Sequence, residues 1–144
     1  MVVFGQPGKC DVTGNFQATV TDADHSDAGP GWIGFKIYSD DCVFHLRLDG
    51  HQSCCEFFEA GQSTPDGFFD EPIVSVEWFK EDNNVGSNTD DDIRADMMTT
   101  IIVLRITNES GNMAKFWVSN SHNGYYSHLA EVIKDGEVLY SRYI

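Results

Sequence analysis

The segment Thr99-Thr100-Ile101-Ile102-Val103-Leu104-Arg105-Ile106-Thr107 decides the fold. Nearly every residue in it is β-branched or apolar, and such side chains suit a pleated strand and lose rotamer freedom in a helix. The apolar run is almost continuous in the middle, so the segment is expected to be a central strand covered on both faces. Asn108 to Asn112, which includes Gly111, reads as a hairpin loop, and Met113 to Ser119 as the returning partner. Upstream, Ile73-Val74-Ser75-Val76-Glu77-Trp78-Phe79 is a further strand.

Earlier still, Cys42, Phe44, Leu46 and Leu48 alternate with Val43, His45 and Arg47. That two-residue period describes a strand buried on one face. Trp32 to Tyr38 precedes it across the Asp40-Asp41 turn, and Asp49-Gly50 closes it. Gly14 to Thr21 alternates through Phe16, Ala18 and Val20 and is a candidate strand. Near the end, Leu129 to Ile133 and Val138 to Tyr143 flank Lys134-Asp135-Gly136-Glu137. Asp-Gly between two such runs favours a type I′ turn, whose two central residues need positive φ. No stretch holds a helical period over three turns. One turn over Cys55 to Ala60 and a short helix over Asp90 to Met98 are the only helical expectations. The expected fold is mainly β: an antiparallel sheet closing into a small barrel or sandwich, with one or two short helices, in a single domain over residues 1–144.

The chain has 144 residues, 9 basic against 23 acidic, for a net charge of −14. With aromatics at 12% it is too rich in core-forming residues for a disordered acidic tail. No run of about 18 apolar residues exists, so no membrane-spanning helix is expected. Met1 to Lys9 lacks a basic region followed by an apolar one, so no secretory signal is read there. Host cytoplasm or a virion is the expected location. Phosphate binding needs clustered Lys and Arg, so direct nucleic-acid binding is not expected.

Cys10, Cys42, Cys54 and Cys55 fit no zinc spacing. The simplest reading is free thiols acting as small buried hydrophobes. His51, Cys54 and Cys55 are weak metal candidates, and no cofactor is expected. The acidic loops Asp22 to Asp27 and Glu81 to Gly86 superficially suggest calcium. Aligning Gly86 to the required glycine puts Val85 at a ligand position, and aligning Asp22 to the first position puts Asp27 where glycine is needed. Both read instead as solvated loops. No nucleophile elbow, phosphate loop, zinc-protease motif or dinucleotide fingerprint occurs. A Cys55 nucleophile with His51 or His128 as base is demanded by no spacing, so no catalytic residue is assigned. The sequon Asn108-Glu109-Ser110 matters only in a secreted chain.

Gln52-Ser53-Cys54-Cys55-Glu56 follows one strand, and Ser121-His122-Asn123-Gly124-Tyr125-Tyr126-Ser127 follows another. With the strand order between them, these motifs resemble an uncharacterised family of small domains from phages, bacteria and large DNA viruses. That family carries a Cys-Cys-Glu element early and an Asn-Gly-Tyr-Tyr element late. The resemblance spans about residues 32–133 and departs at Ser53, where the family has Asp, and over Ala60 to Phe69. Residues 1–30 have no counterpart; they either fold with the domain or form an N-terminal extension. The resemblance implies kinship of fold and a viral setting, and supplies no catalytic residues.

Read physically, Cys54, Cys55, Glu56, Asn123, Gly124, Tyr125 and Tyr126 are expected to form a polar cluster at one end of the sheet, or else to be purely structural. Three functions follow. The leading one is a non-enzymatic protein–protein interaction module, a viral structural or accessory component that binds a partner or itself. If Val138 to Ile144 lies at a sheet edge, it offers a strand for such a partner. The alternatives are an acidic nucleic-acid mimic that inhibits a host protein, and a metal-binding protein or hydrolase using the thiols and histidines.

Overall fold

The computed structural model describes residues 5–21, 31–49, 57–84, 98–122 and 128–144, without the side chains of 57, 58, 82–84, 98 and 122. Ten strands run through them: β1 (Gly8–Asp11), β2 (Gln17–Thr21), β3 (Trp32–Tyr38), β4 (Val43–Asp49), β5 (Phe57–Ser63), β6 (Ile73–Asn84), β7 (Met98–Asn108), β8 (Met113–His122), β9 (Leu129–Lys134) and β10 (Glu137–Tyr143). They form two five-stranded sheets, in the orders β1-β6-β7-β8-β5 and β10-β9-β4-β3-β2. Every pairing is antiparallel.

The alternation read in β4 is realised. Phe44, Leu46 and Leu48 are fully buried, whereas Val43, His45 and Arg47 are half-exposed on the opposite face. Register carries that burial across the second sheet, where Phe35, Leu46, Val132 and Tyr140 form one inward row. From the first sheet, Val76, Trp78, Leu104, Ile106 and Phe116 face them and join the same hydrophobic cluster. Phe35 of β3 meets Phe116 of β8 edge to face at 5.1 Å, which fixes the two layers against each other.

The antiparallel, mainly β expectation therefore holds, with two stacked layers and no closed barrel. The helical expectation does not. Among the described residues the only helical element is one 3-10 turn, Phe68–Asp70. Phe57 to Ala60, expected to sit in a helical turn, lie in β5 and pair with β8. The expected helix over Asp90 to Met98 falls outside the described residues except Met98, which begins β7.

β7 is central in its sheet, as its composition requires. Its outer-face Val103 is only 1% exposed, although no described layer covers that side. Register places Phe79 on one side of Val103 and Trp117 on the other, and these aromatic neighbours shield it. Trp117 in turn requires Gly61: a Cβ there would stand 2.4 Å from the indole. The type I′ turn also forms, with φ of 51° at Asp135 and 84° at Gly136. Asp135 Oδ1 accepts the Val43 N–H at 2.8 Å, tying the β9–β10 hairpin to β4.

Candidate functional site

The topology gathers many strand ends at one end of the molecule. β4 ends there at Asp49, which pairs with Trp32 at the start of β3. β6 ends at Asn84 opposite Met98, and Met98 pairs with His122 at the end of β8. Phe57, which opens β5, pairs with Ser121. The strand ends leading into the two sequence motifs are therefore hydrogen-bonded neighbours. The motif residues Cys54, Cys55, Glu56, Asn123, Gly124, Tyr125 and Tyr126 lie outside the described residues, as does His51.

Inside the described strands at this end several polar groups are engaged, while Asn120 Oδ1 is buried without a hydrogen-bond partner. Thr99 Oγ1 and Ser121 Oγ lie 2.6 Å apart, both buried. Asn120 Nδ2 donates to the Ile144 carbonyl at 2.9 Å, so β8 holds the C-terminal residue across the two layers. His128 N–H donates to the Ile144 carbonyl at 2.7 Å, and Ile144 N–H returns the bond at 2.8 Å.

Cys10 and Cys42 are unbridged, half-buried and packed against the core. Burial pushes the Cys10 thiol above its ordinary pKa; Lys134 pulls the other way, and Cys42 and Asp11 add to the rise. A thiol held protonated is a poor nucleophile. No group of three or more His, Cys, Asp or Glu side chains suited to a metal occurs among the described residues.

Two arginines on the outer faces are fully occupied. Arg47 donates through Nε at 3.1 Å and Nη2 at 2.7 Å to Glu131, and stacks over Trp32 at 4.2 Å. Arg105 donates through Nε to Glu77 at 2.8 Å, makes a second bond to the same carboxylate through Nη2, and lies over Phe79. Each pair spans adjacent strands in register, so the sheet builds the contact.

The margin of the second sheet differs. β10 is one of its two edge strands among the described residues, β2 being the other. Ile144 and His128 exchange both backbone bonds, and antiparallel pairing then alternates. Arg142 and Tyr140 therefore bond inward to β9, while Ser141 and Tyr143 turn their N–H and C=O groups outward. The pairing shifts register between Val138 and Tyr140, and there the chain's own Gly5 lies against the Leu139 carbonyl. Beyond that point no described strand pairs with the outer side of β10. Tyr143 is 38% exposed.

Side chains at this margin carry unspent donors. Tyr140 is 1% exposed, and its hydroxyl, like Arg142 Nε, is buried without a hydrogen-bond partner. Arg142 lies on the core-facing side of β10, between Tyr140 and Ile144, with Cζ 6.0 Å from the Tyr140 ring centre. Composition flagged none of this, because sheet order is not written in any single strand. The alternation of Tyr140, Arg142 and Ile144 on one face was legible; the missing partners were not.

No curated protein and no solved structure matches the chain. A model for a domain of unknown function, DUF7448, matches residues 17–132, from the start of β2 into β9. With most of its length covered by that match, the chain belongs to the DUF7448 family.

Proposed function

We propose that the protein is a non-enzymatic interaction module that takes a protein partner, or a second copy, by strand addition along β10. The observation that carries this reading is the edge position of β10, with the outward backbone groups of Ser141 and Tyr143. An unpaired strand margin is a template for another chain, and main-chain hydrogen bonds supply the affinity. A structural or accessory role in a viral particle is the setting this reading favours, on the strength of the sequence resemblance. No helix among the described residues is long and apolar enough to cross a membrane.

The acidic-mimic reading gains little. Glu77 and Glu131 are consumed by arginines, and Asp135 by a backbone amide. Asp40 and Asp41, Asp66, and Glu109 are exposed in three different loops. The metal or hydrolase reading rests on His51, Cys54 and Cys55, outside the described residues, and the described thiols lend it nothing.

Tyr143→Pro tests the leading reading. Proline removes one outward N–H without cutting a bond to β9, so the fold is expected to survive. Affinity capture from native extract with wild type should yield a partner that Tyr143→Pro loses at unchanged melting temperature. Equal capture by both proteins sinks the reading.

A further inference from the structure

We infer that the β10 margin is built for an acidic partner: an extended segment whose backbone pairs with Ser141 and Tyr143 and whose carboxylate lands on Arg142. This rests on the strand-addition reading and names the chemistry of what is added. The warrant is an imbalance. The chain carries 23 acidic residues against 9 basic ones, so a guanidinium without a carboxylate is unexpected. Arg47 and Arg105 each grip a glutamate in register. Arg142, the third described arginine, has no ion pair, and its Nε is buried without an acceptor.

A half-buried guanidinium whose Nε is cut off from water has only the long contact with the Tyr140 ring in return, so an incoming carboxylate is favoured. A second, independent feature points the same way. The Tyr140 hydroxyl, on the same face two residues earlier, is also buried without a partner. Both groups are donors without an acceptor, on β10 residues that alternate with Ser141 and Tyr143. A cationic or purely apolar segment would satisfy neither. The family match ends at residue 132, before β10, so this preference belongs to the part of the chain outside the matched domain.

The test uses the full chain and two synthetic five-residue peptides, Thr-Val-Asp-Val-Thr and its Asn counterpart, both end-blocked. Amide NMR shifts report binding. Both peptides should perturb Ser141 and Tyr143, and the Asp peptide should bind about tenfold more tightly at low salt. The preference should shrink with added salt. Arg142→Gln should remove the preference and leave the weaker, neutral binding intact. A preference that survives Arg142→Gln overturns the acidic assignment while strand addition stands. Failure of both peptides to perturb β10 overturns strand addition as well. If sedimentation instead shows a dimer lost in both Arg142→Gln and Tyr143→Pro, the occupant is a second copy and the separate partner is refuted.

Discussion

Arg47 and Arg142 stand on the same sheet and meet opposite fates. Arg47 is at the centre, where β9 supplies Glu131 in register and β3 supplies Trp32 from the diagonal position. Arg142 is at the margin, where among the described residues one side has no strand and no carboxylate pairs with it. The difference teaches that in a sheet the neighbouring strand, more than local sequence, decides whether a polar side chain is satisfied. Residues at the centre are committed to the fold. Those at the margin keep interactions in reserve.

If that contrast is right, substitutions at the centre cost stability and those at the margin do not. Leu46→Ala, in the fully buried middle row, should lower unfolding free energy by about 3 kcal/mol in urea titration. Gly34→Ala should cost about 2–3 kcal/mol, since φ there is +144° and a Cβ would stand 1.9 Å from the Leu46 carbonyl oxygen. Glu131→Gln should cost about 2 kcal/mol, because it strips the partner from a guanidinium only 22% exposed. Tyr140→Phe should leave stability unchanged or raise it by up to about 1 kcal/mol, as it deletes a buried hydroxyl that bonds to nothing. A loss above about 1 kcal/mol for Tyr140→Phe would mean the margin is committed like the centre.

A smaller effect tests the thiol at the other margin. The folded state raises the Cys10 pKa, so it binds the proton more tightly than the unfolded chain. The resulting stabilisation is complete below the unfolded thiol pKa and fades as pH rises through the folded one. Cys10→Ser should flatten the alkaline end of the stability–pH curve, and wild-type Cys10 should alkylate slowly at neutral pH. Rapid alkylation of Cys10 in the folded protein would contradict the burial argument.

Much of the sheet was legible because its central strands answer to their own composition. β4 alternates and β7 is packed with branched apolar residues, and both lie where such patterns require. β5 was misread because Ala60, Gly61, Gln62 and Ser63 carry no strand signal. Gly61 is there for the neighbouring Trp117 ring, a reason that exists only after folding. β1 is similar: Gly8 lies under Trp78, where a Cβ would stand 2.9 Å from the indole. The Cys-Cys-Glu and Asn-Gly-Tyr-Tyr motifs were legible as motifs, and the pairing of Phe57 with Ser121 explains why their flanking strands meet. The open margin was not legible, since an edge is defined by the strand that is missing.

The most direct measurement places a photoreactive benzophenone side chain at position 143 in the full chain, with controls at the exposed positions Val20 and Met113. Irradiation in cells that make the protein should join position 143 to one discrete protein, with Val20 and Met113 unreactive and Arg142→Gln sharply reducing the product. A product formed equally from all three positions, or one untouched by Arg142→Gln, would contradict a β10 margin built for an acidic strand.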